Sequence, residues 1–340
     1  MNNLEPKKRE YWVDVAKGMG ILFVMLGHTP IGSSILKYTY IFNMPGFLFL
    51  SGYFFKLTKF KNFEDFFRSK AKAILIPYAG LSIISIVFYI FYYHMPWNDF
   101  VTIKNMIIVF FTAIRNQIFY NIPLWFLPTL FFIENIFYLI RKLNKKYLEL
   151  VLILILGGYG VMKWDTLYNP RFVWTADTGL FFLIFFATGY YLKNRVFNIR
   201  ITNKYILNLL AIIAILINSL ILYSPAWFTK IFKNNFVITY KLIYFLSLLI
   251  LAFSGIYVIT TIAKLLKRQK LLEFLGKNSL AFFGLHVLCF WILDKILKPR
   301  LIFENHIILL SILYVIITTA AIVLILPYLK KHLPLVFGRT

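Results

Sequence analysis

The chain has 340 residues, of which 60% are hydrophobic and 15% charged, with a mean hydropathy of +0.75, proportions that exclude a soluble globular domain. A formal net charge of +24 would point to nucleic acid in a soluble protein; here the cations sit between apolar runs, the pattern of a membrane protein with no nucleic-acid partner. A lone cysteine, Cys289, excludes an intrachain disulfide, and without paired Cys or His motifs no metal is expected.

Apolar runs of about 20 residues, enough to cross a hydrocarbon core of about 30 Å, predict about ten transmembrane helices, at 12–30, 38–55, 73–93, 123–141, 147–163, 175–192, 204–223, 238–263, 278–297 and 306–329. The expected fold class is an all-α polytopic membrane protein, a single membrane domain over 1–340. No internal repeat is strong enough to argue inverted halves. Lys7-Lys8-Arg9 ahead of the first run superficially resembles a signal peptide. No small-x-small cleavage pattern follows Gly27, so that run is read as an uncleaved first span. With the N-terminus inside, the cation-rich segments near 7–9, 56–72, 141–146, 193–204, 264–277 and 330–339 all fall on the cytoplasmic side, as the positive-inside rule requires. Both termini are then cytoplasmic. Residues 94–122 fit this alternation only if Met106–Phe111 does not span, so an interfacial or re-entrant helix is expected near 101–117.

The first span carries the unusual chemistry. Asp14, Lys17 and His28 lie within it, and ionisable groups at bilayer depth are costly and mark functional sites. Eleven residues come to about 20° short of whole turns, so Lys17 and His28 share a face about 16 Å apart, with Asp14 within about 60° of both. By residue count, Asn43 in the second span lies near the depth of His28, and Ser51 near that of Lys17. Pro45 breaks the helix between them, which is tolerated at this depth only against protein or a wet cavity. The pattern suggests a conduit, with a cation at the inner mouth and an imidazole near the outer one. Neutral imidazole can take a proton from an attacking hydroxyl, or be acylated itself. The plainer alternative is an Asp14–Lys17 pair that neutralises itself and a histidine bonded to a neighbouring helix.

These residues resemble the acyltransferase-3 family of integral-membrane O-acyltransferases. Lys17 and His28 match a basic residue, ten intervening residues and a histidine, with Asp14 as the preceding acid. Asn43-Met44-Pro45 through Ser51-Gly52-Tyr53 is similar to the family's second helix, and Arg68, Lys70 and Lys72 ahead of Pro77-Tyr78 to its basic loop. Leu124-Trp125-Phe126-Leu127 is similar to its Trp-Phe-Leu element, and Gly276…Ser279…His286 to its late Gly-x-x-Ser…His segment. Asn43 stands where a histidine often precedes Met-Pro, and two lysines stand beside Arg68 where paired arginines are usual. The form is most similar to the sugar and exopolysaccharide O-acetyltransferase branch, which includes fucose O-acetylases.

The resemblance implies transfer of an acyl group, usually acetyl, from cytoplasmic acyl-CoA as co-substrate to a sugar hydroxyl, in a multi-pass protein of the bacterial cytoplasmic membrane. A sugar or polysaccharide acceptor, the bilayer and the polysaccharide biosynthesis machinery are the implied partners. His28 is then the catalytic base or a transient acyl acceptor, with Asp14 balancing Lys17. Lys17, Ser51, Arg68, Lys70 and Lys72 are candidates for binding the donor, and Asn43, Trp125, Glu134 and His286 for the acceptor side. Glu134, at mid-span, reads as part of the site's architecture or as an incidental pairing, with Lys17 and His286 as candidate partners. His286 reads equally as cavity lining or an interhelical hydrogen bond, and Trp125 as interfacial belt or acceptor stacking. Arg171 and Asp177 read as a surface ion pair rather than sugar-binding residues, and His94, His306 and His332 as solvated or interfacial. Two other functions fit the same polar span: export of a polysaccharide or lipid-linked sugar, and a non-catalytic assembly subunit.

Overall fold

The computed structural model describes residues 10–29, 32–96, 99–162, 169–193, 237–266, 268–297 and 306–338, with single positions between 205 and 216. Among these the chain is all-helical and has no strand. The helices are α1 (Tyr11–Gly27), α2 (Gly32–Phe54), α3 (Phe63–Lys70), α4 (Ile76–Tyr92), α5 (Phe100–Thr112), α6 (Phe126–Arg141), α7 (Lys146–Met162) and α8 (Ala176–Leu192). They continue with α9 (Val237–Leu265), α10 (Lys270–Lys277), α11 (Ser279–Leu297), α12 (Ile307–His332) and the short α13 (Pro334–Phe337). Among the described residues, six helical stretches are long and apolar enough to cross a membrane: Phe63–Tyr92, Ile122–Arg141, Val173–Leu192, Phe245–Leu265, Ser279–Leu297 and Ile307–His332. The span expected at 204–223 lies largely outside the described residues.

Two elements depart from the sequence reading. The basic segment 56–72 is irregular only as far as Asn62, and even there Leu57–Lys59 forms a 3₁₀ turn. Asn62 caps α3 by accepting the Asp65 N–H at 2.8 Å, and α3 then runs through a π-turn at Ala71–Leu75 into α4. α2 also begins earlier than expected, at Gly32: the polar residues Ser33, Ser34 and Lys37 lower local hydropathy without breaking a helix. As expected for 101–117, the chain there forms a helix too short to span. α5 has 13 residues, about 20 Å, starts on an Asp99 side-chain cap and stops at Ala113 with φ 46°.

α1 is the hub. It packs on α2, α9, α10, α11 and α12 and is buried on nearly every side, which is how a helix carrying Asp14 and Lys17 is kept from lipid. Its closest neighbour is α10. A Cβ on Gly276 would lie 1.8 Å from the Asp14 carbonyl oxygen, and one on Gly18 would lie 2.1 Å from that of Leu272. The backbones therefore touch, and only glycine fits at either crossing. Gly276→Ala must push the helices apart, an overpacking cost of about 1–3 kcal/mol. Gly158→Ala, where nothing lies within 4 Å, should be nearly neutral. Thermal midpoints of the two variants in detergent check this, and equal midpoints would mean that α1 and α10 do not meet.

Candidate active site

His28 is the C-cap of α1. Its ring folds back so that Nδ1 lies 2.8 Å from the Val24 carbonyl oxygen, and the residue remains exposed. His286 sits in the middle of α11, fully buried, with Nδ1 at 2.9 Å from the Phe282 carbonyl oxygen. The two rings meet edge to face, with centroids 5.1 Å apart. A carbonyl oxygen can only accept, so each Nδ1 carries the hydrogen, and in a neutral ring each Nε2 keeps its lone pair. The His286 Nε2 is buried and has no hydrogen-bond partner among the described residues. The site thus pairs the imidazole of an exposed helix-end residue with an enclosed one, both held in the tautomer that leaves the Nε2 lone pair unprotonated.

Lys17 lies on another side of α1. With Gly20, Asn43, Phe47, Leu50 and Thr260 it lines a cleft between α1, α2 and α9, and its Nζ is 6.0 Å from the centre of the Phe54 ring. The cleft measures about 20 Å³, room for about one water and not for a pantetheine chain. Asn43 donates to the Gly20 carbonyl at 3.2 Å. It therefore lies two turns below His28, about 12 Å along the axis, and not at His28's depth as residue count suggested. Ser51 donates to Phe47 within its own helix at 2.9 Å. Asp14 is buried where α1 crosses α10. The single wall expected of Asp14, Lys17 and His28 is instead divided: Lys17 faces α2 and α9, and His28 faces α11. The reason is the helix end, since His28 lies past the last turn and does not follow its periodicity.

Glu134 pairs with neither Lys17 nor His286. Its buried carboxylate lies 2.8 Å from Lys70 Nζ, and that ammonium also sits 5.3 Å from the Phe55 ring centre and 5.9 Å from that of Phe66. Arg68 pairs with Glu64 on the exposed face of α3, and Lys72 is exposed. Helical rotation accounts for the spread: Lys70 is turned about 200° from Arg68, so the three cations do not converge. Trp125 is no belt residue. It is buried, with the Arg115 guanidinium 5.3 Å from its ring centre and Phe182 stacked against it at 6.1 Å, because the 3₁₀ turn Ile122–Trp125 folds inward. Asp177 is also buried rather than a surface ion-pair partner, and it accepts the Arg171 backbone N–H at 2.8 Å.

Asn121 was not singled out from sequence. Fully buried, it donates to Ser85 Oγ at 2.9 Å and to the Gly284 carbonyl at 2.7 Å, tying α4 to α11 two residues from His286. The available signal was an amide just ahead of Pro123 at the mouth of an apolar span. Thr260 at the Lys17 cleft gave no signal at all, being one hydroxyl in a long apolar helix.

Residues 10–327 match the acyltransferase-3 family model, which describes an acyltransferase domain. None of the curated proteins and none of the solved structures compared with the chain matches it.

Proposed function

The chain belongs to the acyltransferase-3 family, and from that premise we propose that it moves an acyl group, acetyl in the first instance, from coenzyme A thioester to a hydroxyl of a cell-surface or lipid-linked sugar. The observation that carries this reading is His28, exposed at the end of α1 and with its Nδ1–H bound to Val24. Its Nε2 is the general base. The acceptor hydroxyl oxygen attacks the thioester carbonyl carbon while its proton passes to Nε2. The C–S bond then breaks, and the proton returns to the leaving thiolate, giving free coenzyme A and the sugar ester. His286, edge-on to His28, limits the ring's freedom and keeps a second neutral acceptor nearby. Lys17 supplies positive charge toward the polyanionic donor, on the end of the bundle that the distribution of lysines and arginines assigns to the cytoplasm. Because the cleft beside Lys17 is so narrow, donor entry there requires α2 and α9 to part from α1.

The test is full-length protein in proteoliposomes with acetyl-CoA labelled in the acetyl group and a cell-envelope sugar fraction. Thiol release that depends on the acceptor, with label recovered as base-labile ester on sugar, is expected. Sugar crossing the bilayer without thiol release would replace this reading with transport.

A further inference from the structure

We infer that the basic end of the bundle holds a binding pocket for a phosphorylated ligand, apart from the Lys17 cleft. A pocket of about 620 Å³ opens where α2 ends, between the α6–α7 turn and the end of α8, and small-molecule sites typically measure about 300–1,000 Å³. Lys56, Arg141, Lys146 and Lys193 line it against one carboxylate, Glu149. That carboxylate is buried and already bonded by Arg141 and by the Tyr191 hydroxyl, so its charge is spent inward. Lys56 and Lys146, both exposed, bring positive charge to the opening.

The Arg141 guanidinium lies 5.3 Å from the Tyr190 ring centre and 5.7 Å from that of Tyr191, and its Nε has no hydrogen-bond partner among the described residues. That guanidinium is neutralised by Glu149 and fixed by two aromatic rings, so it forms a rigid floor beneath the ammonium groups of Lys56 and Lys146, whose positive charge suits phosphate oxygens. The positive-inside bias explains lysines at this end of the molecule. It does not explain a concave site with a buried Glu–Arg–Tyr support beneath them. Both a phosphorylated nucleoside and the headgroup of an anionic phospholipid present this chemistry.

The experiment uses the full chain, purified in detergent and in nanodiscs. Adenosine bisphosphate is titrated into the detergent sample, and native mass spectrometry counts phosphatidylglycerol retained from mixed phosphatidylglycerol–phosphatidylcholine nanodiscs. Lys56→Gln/Lys146→Gln is compared with Lys59→Gln/Lys61→Gln, which removes equal charge from the neighbouring segment outside the pocket. Arg141 is left intact, because removing it would strand buried Glu149. The pocket pair should weaken binding of one source roughly tenfold or more, about 1.4 kcal/mol, and the control pair by less than about twofold. The probe affected identifies the source as free nucleotide or lipid. Equal loss in both pairs, or no binding of either probe, overturns the site. Thiol release from acetyl-CoA on the same samples separates this from the acyl-transfer reading: binding without thiol release sinks only the latter, and thiol release without pocket-specific binding only the former.

Discussion

His28→Ala is expected to lower acyl transfer by about 10²–10⁴-fold, the usual worth of a positioned general base, with donor affinity and folding little changed. The residue is exposed at the end of α1 and its Nδ1–H is bound within its own helix, so among the described residues truncation removes no interhelical hydrogen bond. What is lost is Nε2 and the edge contact with His286. His286→Ala should act differently. That ring is fully buried and packs on Phe290 at 5.6 Å, so its loss leaves a cavity costing about 2–4 kcal/mol and frees His28 to turn. If His286 acts through His28, the double variant should be no slower than His28→Ala alone. Steady-state rates and thermal midpoints of the three variants decide the matter. A His28→Ala protein with an unaltered turnover rate would remove His28 from the chemistry.

The helices were legible because hydrocarbon thickness imposes a length on each span and positive charge marks the segments between them. Six of the expected spans coincide with described helical stretches long and apolar enough to cross a membrane, with the largest offset where Phe63–Tyr92 starts ten residues ahead of the expected 73. What hydropathy cannot carry is which polar residues meet. Lys70 and Glu134 belong to different helices, and no local pattern pairs them. Trp125 at a span edge looks like a belt aromatic until the 3₁₀ turn carries it inside. The His28–His286 contact is a meeting of the first span with a late one. Here the family resemblance supplied both histidines but not their adjacency. The shared face of Lys17 and His28 failed for a local reason, since helical periodicity ends where the helix does.

Glu134→Ala is expected to be the most damaging single change outside the histidine pair. It strands the Lys70 ammonium, half-enclosed by Phe55 and Phe66, and breaking one side of such a pair costs about 3–5 kcal/mol. The apolar replacement of both partners, Lys70→Met with Glu134→Leu, should restore most of that loss, because neither charge then has to be desolvated. Detergent unfolding midpoints of the single and double variants give the coupling, and a double variant weaker than Glu134→Ala would show that the pair is not what the site needs. The same proteins also test Lys70's second possible role. If Lys70 touches the donor, the stable double variant will need more acetyl-CoA to reach half its maximal rate. If its task is to neutralise Glu134, that concentration will be unchanged. The geometry favours the second outcome, since an ammonium 2.8 Å from a buried carboxylate offers a phosphate little uncompensated charge.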